Sequence, residues 1–568
     1  MTPPEDADDA DLDTDHGDAP LRLRAIDAVI GPASPPGLVP RVLDDELHFT
    51  SADEPASFKE AEREPCWRQA MPEEMKAIED NGTWELAALP TGHRAIGLKW
   101  VFKVKRDEAG NVIRYKARLV AKGYIQRVGI DFDEVFAPVA RMESVRALLA
   151  LAAHQGHKVH HMDVKSAFLN GELKEEVFVS QPPSFISTGN EHKVLRLRKV
   201  LYGLRQAPRA WNAKLDVSLA SLGFQRSSSE HAVYIRCRGA SRLVVGVYVD
   251  DLIITGTGDE EITAFKQEMR RVFSMSDLGL LSYYLGIEVT QSSKGITLCQ
   301  SAYASKLLEK HGMASCNSCK TPIDAGLKLS KNSEAPLVDA TDYRRLIGSL
   351  RYLVNTRPDL AFAVGYLSRF MESPHQDHQD AVKQVLRYIA GTRSQGLLYA
   401  KHEEGQAGLV GYSDAGMAGD IDGRKSTSGV IFFLGGNAIT WQSSKQRVIA
   451  LSSCEAEYIA AATAACQAIW LTRLVHDMVG IEPRAPDLKV DNQAAIALSK
   501  NPVFHDRSKH IDTKFHFIRE CVDKGQISIW HTPTEQQLAD VLTKPLGRDR
   551  FLKLCALIGV QNVGEIKD

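Results

Sequence analysis

Apolar and polar positions recur with two different periods along the chain, and the switches between them mark its elements. In LVVGVYVDDLIITG, Leu243 to Gly256, apolar β-branched runs flank Tyr248, Val249, Asp250 and Asp251, which reads as two buried strands with adjacent carboxylates at their turn. Upstream, CWRQAMPEEMKAIEDNGTWEL has the spacing of an amphipathic helix followed by a strand. The segment GLKWVFKVKRDEAGNVIRYKARLVAKGY alternates apolar and basic residues around a turn at Asp107 to Asn111, predicting a hairpin. MESVRALLALAAHQGH is helical with core-facing residues, and KVHHMDVKSAFLNGELKEEV reads as a strand ending at Asp163, then a short helix. The adjacent His160 and His161 point to opposite faces of that strand and are read as structural. In RKVLYGLRQAPRAWNAKL a turn opens a helix with Trp211 in its first turns, and LGLLSYYLGIEV reads as a short hairpin with aromatics. Residues 300–400 are mostly helical in pattern, with no chemistry visible in them.

From Gly408 the order of elements changes. LVGYSDAG is a strand ending at Asp414, SGVIFFLGGNAITWQ a hairpin, and SSCEAEYIAAATAACQAIWLTRLVHDM a long helix with Glu455 and Glu457 near its start. DLKVDNQAAIALSK is a strand ending at Asp491 and then a helix, and ISIWHTPTEQQLADVLTK is a strand followed by a helix holding Asp540. Three strands, a helix and two strand–helix units make an α/β domain.

Composition narrows the class. The 568 residues are 44% hydrophobic and 25% charged, as in ordinary globular proteins, with material for several cores. The net charge of −3 is uneven: residues 1–20 carry eight acids and no Lys or Arg, leaving a mildly basic body. Residues 1–60 read as a disordered acidic tail or linker. Nine unpatterned cysteines fit reduced thiols, and Cys316 and Cys319 lack the second pair that a zinc site needs. No secretory signal or membrane-length apolar run is evident, so a soluble intracellular protein without a membrane partner is expected.

Two like charges at a hairpin tip repel each other and resist desolvation, a penalty that divalent cations remove. In-line phosphoryl transfer is served by two Mg²⁺ ions about 3.5–4 Å apart, and such hard cations select carboxylate oxygens over His or Cys. The cations Lys99, Lys103, Lys105, Arg114, Lys116, Arg118 and Lys122 in one hairpin point to phosphate contact. Asp414, Asp491 and Asp540, with a Glu from the long helix, form a second candidate cluster.

Taken in order, NGTWEL, KWVFKVK, RYKARLVAKGY, HHMDVKSAFLNGEL, YGLRQAPRAW, YVDDLIITG, YLGIEV, KSTSGVIFFLG, LSSCEAEYIAA, VDNQAAIAL, KHIDTKFHFIRE and QLADVLTKPL cover roughly nine-tenths of the chain. This series resembles the reverse transcriptase and RNase H portion of copia-type LTR-retrotransposon Pol polyproteins. The resemblance implies an α+β architecture: a right-hand polymerase (fingers, palm, thumb) over 80–325, a helical connection over 326–404, an α/β RNase H-like domain over 405–548 and a C-terminal tail over 549–568. It implies RNA-directed DNA synthesis with linked RNase H, two Mg²⁺ per site or Mn²⁺ in their place. The partners implied are RNA template, DNA primer, RNA–DNA hybrid and dNTPs, with capsid-like particle proteins, in the cytoplasm (in virus-like particles) or the nucleus.

By the same resemblance Asp163, Asp250 and Asp251 would be the polymerase metal carboxylates, with Val164 lending its carbonyl. Lys116 and Arg118 would cradle the triphosphate, Phe168 would block a ribose 2′-OH, and Gln206 would lie near the incoming nucleotide. Leu285 and Gly286 would form the primer-gripping turn, and Asp414, Glu457, Asp491 and Asp540 the RNase H metal site. Glu455 competes with Glu457: two residues apart on a helix, about 200° around it, only one can face the site. The family's Glu followed by apolar residues and Ala favours Glu457. One departure stands out, since DAGMAG replaces the usual Asp-Ala-Asp-Trp-Ala-Gly and puts Gly416 and Met417 where an acid and a tryptophan are expected; a packing effect follows from this rather than loss of a ligand. Protease and integrase motifs do not occur, so a Pol fragment or truncated reading frame is expected. The alternative function is a catalytically silent remnant that only binds nucleic acid.

Overall fold

The helix Pro65–Asp80 starts on a proline whose missing N–H costs nothing at a helix's first turn, and it buries Trp67, Ala70, Met71, Glu74, Met75 and Ile78 along one face. That face packs on the hairpin Leu98–Arg106 and Val112–Ala121, where Trp67 meets Phe102 and Tyr115 edge-on at 5.2 and 5.0 Å. The computed structural model describes residues 54–55, 57–106, 112–401, 408–482, 484–500 and 513–566. The turn expected at Asp107 to Asn111 lies outside the described residues, as does the expected acidic tail through residue 53. The end of that tail is structured: Ser57 caps the short helix Phe58–Ala61, and Glu54 accepts hydrogen bonds from Lys103 Nζ at 3.0 Å and Val104 N at 3.1 Å.

A six-stranded antiparallel sheet follows, in the order Met275–Leu280, Val159–Val164, Asp251–Gly256, Ser241–Tyr248, Val233–Arg238, Gln225–Arg226. Its near-continuous apolar strands are covered on both faces. Met162, Val164, Val245, Val247, Leu252 and Ile254 pack with the helices Ala207–Ser221 and Asp259–Val272. Val233, Ile235, Val244 and Ile253 pack with the helix Met142–Gln155 on the other.

That helix is buried from Ser144 to Ala153 because a second body covers its far side. The covering sheet runs Asn437–Lys445, Thr427–Leu434, Leu409–Gly416, Asp487–Val490, Ser528–His531, with the first three strands antiparallel and the last two pairings parallel. Arg146 joins the two bodies: it donates to Ile439 O and Asn355 O, both at 2.8 Å, and lies 3.8 Å from the Trp441 ring centroid. All described residues belong to one compact unit, Asp45–Asp568.

Three differences from the sequence expectations have tertiary causes. The expected tail over 549–568 holds the helix Arg548–Leu557 and the strand Val560–Asn562, which pairs with Gln395–Ala400 and completes a five-stranded sheet with Tyr283–Tyr284, Ile287–Ser292 and Gly295–Cys299. The segment around Asp540 is the 3₁₀ turn Leu538–Leu542 rather than an α-helix, because Gln537 caps it and donates to Ser413 O at 2.9 Å, drawing the chain onto the sheet. Lastly, the helix Ser453–Val479 is long and apolar enough to span a membrane, with 72% of its apolar window buried inside the protein. It is the helix packed on the second sheet, and its apolarity is that of a core element.

Candidate active sites

Antiparallel pairing places Asp251 directly opposite Asp163, and Asp251 also pairs with Tyr248 across the hairpin. Asp250 occupies the turn between them and its carbonyl accepts from Val164 N at 3.0 Å. The preceding Val249 sits at φ +56°, a left-handed conformation that β-branched residues adopt only under constraint. The constraint is visible: Trp211 Nε1 donates to Val249 O at 2.7 Å. Burial, then the charge of Asp251, raises the Asp163 carboxyl above its usual range. His161 Nε2 donates to Asp251 Oδ1 at 2.8 Å, so this histidine, read from sequence as structural, orients one of the site's acids. Its partner lies ninety residues further along the chain, and no local pattern announces it.

The strand Val112–Ala121 turns Ala117, Leu119 and Ala121 into the core and leaves Lys116, Arg118 and Val120 on the opposite face. Burial, then the charge of Arg118, lowers the Lys116 ammonium, while Glu74 and Asp163 raise it. Phe168 lies in the turn Ala167–Asn170 and meets Tyr202 edge-on at 5.2 Å between ring centroids. Gln206 differs from expectation. It is completely buried, its Nε2 donates to Asp131 O at 3.1 Å and its Oε1 accepts from Gln126 Nε2 at 3.1 Å. Gln126 Oε1 in turn accepts from Arg205 N at 2.9 Å, so Gln206 holds the turn rather than presenting its amide to a cleft.

Leu285 and Gly286 take φ +48° and +75° between the short strands Tyr283–Tyr284 and Ile287–Ser292, the two-residue turn that a twisted hairpin favours. Tyr352 from the helix Ala340–Leu353 donates its hydroxyl to Leu285 O, and a Cβ on Gly286 would collide with that hydroxyl.

The second cluster is tighter. One ligand oxygen from each of Asp414, Glu457 and Asp491 lies within 4.8 Å of the others, the single such group of three His, Cys, Asp or Glu residues among the described residues. Asp414 lies two residues before the end of the strand Leu409–Gly416, Glu457 is in the first turns of Ser453–Val479, and Asp491 follows Asp487–Val490. Glu457 Oε1 accepts from Ala415 N at 3.0 Å, whereas Glu455 turns back to accept from Leu451 N at 2.7 Å at the helix start. Burial, then Asp414, pushes Glu457 up to about 10; the same causes raise Asp491, and Asp540 to about 6.

Asp540 lies against Asp414 but is bound by cations, Lys544 at 2.7 Å and Arg550. Lys544 also stands 3.9 Å from Asp414, whose carboxylate accepts from the Thr543 hydroxyl. A Cβ on Gly416 would come within 2.6 Å of Thr543 O, so this departure lets the Thr543 backbone close over the cluster. Glu457 Oε2 is buried without a hydrogen-bond partner. Converging carboxylates with one orphaned oxygen suit a hard divalent cation.

Residues 81–325 match the reverse transcriptase (RNA-dependent DNA polymerase) family. The class of protein defined by that match and the mixed α/β fold is one carrying a reverse transcriptase domain. Over 522 residues the chain is 41% identical to the retrovirus-related Pol polyprotein from transposon TNT 1-94 of Nicotiana tabacum, covering 90% of this chain and 39% of that relative. Over 518 residues it is 41% identical to that from transposon RE1 of Arabidopsis thaliana, covering 91% of this chain and 35% of the relative. A putative transposon Ty5-1 protein of Saccharomyces cerevisiae is 37% identical over 303 residues, 53% of this chain and 98% of the relative. The chain belongs to the copia-type retrotransposon Pol polyproteins. It spans less than two-fifths of the length of the two plant relatives.

Proposed function

We propose that the chain is an RNA-directed DNA polymerase with a linked RNase H, built as a fingers–palm–thumb polymerase followed by an RNase H-like domain. The observation that carries the polymerase reading is the register pairing of Asp163 with Asp251, with Asp250 on the adjoining turn. Asp163, Asp250, Asp251 and the Val164 carbonyl would hold divalent metal at the polymerase site; Asp414, Glu457, Asp491 and Asp540 would do so at the nuclease site. Bound Mg²⁺ supplies a lowered pKa for the attacking oxygen and charge stabilisation for the leaving one. The chain's own groups position the reactants. Lys116 and Arg118, side by side on one face of their strand, would meet a nucleotide's phosphates, Phe168, held against Tyr202, would block a ribose 2′-OH, and the Leu285–Gly286 turn, clamped by Tyr352, would support the primer.

The orphaned Glu457 Oε2 supports the nuclease reading, and Lys544 would move from Asp540 and Asp414 or share them as metal binds. RNA template, DNA primer, hybrid and dNTPs are the substrates and partners of this reading. Primer extension on an RNA template with Mg²⁺ and dNTPs, beside Asp250→Asn, tests it. Extension by the wild-type chain that disappears in the variant supports the polymerase; a folded wild-type chain that binds primer–template without extending it would make the protein a silent nucleic-acid binder.

A further inference from the structure

The turn from Tyr202 to Gln206 enters the polymerase reading through Gln206, yet Gln206 is completely buried with both ends of its amide bonded. The side chain of that turn that meets the nucleotide-facing residues is Tyr202. Its ring contacts Phe168 edge-on, with centroids 5.2 Å apart and planes at 61°, and the Arg118 guanidinium lies over it at 4.7 Å from the centroid. An edge-to-face contact and a cation over a ring face are both geometries with real attraction, and each fixes an orientation.

The backbone holds this ring against the basic strand. Tyr202 O accepts from Ala121 N at 2.7 Å, and Gly203, at φ +88°, lets the turn lie so close that a Cβ there would come 2.5 Å from Val120 Cγ1. The half-buried face of the strand therefore runs from Lys116 through Arg118 and Val120 into Tyr202. Burial raises the Tyr202 hydroxyl's pKa, Arg118 opposes that, and Glu74, Asp250 and Asp163 add to it.

We propose that Tyr202, by holding the Phe168 ring on one side and the Arg118 guanidinium on the other, is the positioning residue that sets nucleotide affinity and discrimination against a 2′-hydroxyl, while Gln206 only supports the turn. This rests on the polymerase reading above. Phe168 excludes an extra oxygen only if its ring cannot swing away, and beside its packing on the two neighbouring apolar clusters the Tyr202 edge contact is the ring contact that fixes its orientation. Arg118, with Tyr202 beneath it, presents its fork to phosphate with less freedom to lose on binding.

Steady-state incorporation of dNTP and of the matching rNTP on an RNA template would be compared for wild type, Tyr202→Phe, Tyr202→Leu and Gln206→Ala, each checked by thermal melting. The expected result for Tyr202→Leu is a KM for dNTP raised about tenfold and a dNTP-over-rNTP preference lowered about tenfold, with kcat for dNTP within about threefold, the size expected for losing one or two side-chain contacts. Tyr202→Phe keeps the ring and should restore both values. Gln206→Ala should lower the melting temperature while preserving the preference. A Tyr202→Leu chain that melts like wild type and keeps wild-type KM and preference overturns the inference and leaves the polymerase reading standing. Loss of preference in Gln206→Ala with none in Tyr202→Leu reverses the two roles. A wild-type chain that extends no primer overturns the reading and the inference together.

Discussion

At the Leu243–Gly256 hairpin the acids meet at the rim of a sheet, whereas at the second cluster they are enclosed. Asp163 and Asp250 are half-buried, and Asp251 is drawn to His161 rather than into a tight group of carboxylates. Asp414, Glu457 and Asp540 are buried at 2%, 6% and 0% exposure and Asp491 is half-buried, with Lys544, Arg550 and Thr543 offsetting part of their charge. Like charges held together need either solvent and a binding partner to complete them or fixed counter-groups inside the protein. The hairpin takes the first route and the second cluster takes the second. On the proposed reading, a rim site would remain open to a long nucleic acid and a nucleotide, while the second cluster is assembled before anything binds.

The largest expected effect separates the two. Glu457→Gln should lower cleavage of the RNA strand of a hybrid by about 10²–10³-fold or more, the scale on which loss of one preorganised electrostatic group acts. Primer extension should stay within about twofold of wild type, both activities being followed by gel on the same preparation.

Next in size is a substitution that spoils both sites by loosening what lies between them. Arg146→Ala removes two hydrogen bonds to buried carbonyls and the contact with Trp441, for an expected loss of about 3 kcal/mol. Thermal melting should show the drop, and both activities should fall together above the new midpoint. A lower midpoint with only one activity affected would mean that the shared core does not couple the sites.

Gly416→Asp acts on the enclosed site alone. Restoring the family's usual acid forces the Thr543 backbone away from a contact that would be 2.6 Å to the new Cβ, for about 1–3 kcal/mol of strain. Hybrid cleavage should fall several-fold while extension is unchanged.

The effect with the least bearing on activity is one of pH. A carboxyl raised to about 10 in the folded protein, as Glu457 is, retains a proton that the unfolded chain has released. Its stabilising contribution is therefore fully present below the ordinary carboxylate range and is lost as pH rises through about 10; Asp540 adds the same trend up to about 6. In EDTA the melting temperature should decline from about pH 5 to about pH 9 by a few degrees. Mg²⁺ should raise the melting temperature, more so at the alkaline end, and Glu457→Gln should flatten the slope.

The two regions were also unequally legible. Asp163 and the Asp250–Asp251 pair could be marked from sequence because each stands at the end of an apolar run, and alternation alone tells which neighbours share a face. The long helix Ser453–Val479 was equally plain, but its spacing alone did not choose between Glu455 and Glu457; the choice came from resemblance, and in the fold Glu455 turns to Leu451 N. What sequence could not carry were contacts between distant segments. Gln206 is buried by Gln126 and Asp131, and His161 is turned to function by a strand that begins ninety residues later at Asp251. The segment after Arg548 is drawn into a sheet by pairing with Gln395–Ala400, although its own residues read as a tail. A strand edge recruits partners by open backbone groups, which leave no trace in side-chain periodicity.

The most direct test of the account is a cross of the two sites within one chain, with primer extension and hybrid cleavage measured on matched preparations of Asp250→Asn and Glu457→Gln. The account predicts that the first variant cleaves without extending and that the second extends without cleaving. Loss of both activities in either variant, with its melting temperature unchanged, would contradict two independent sites.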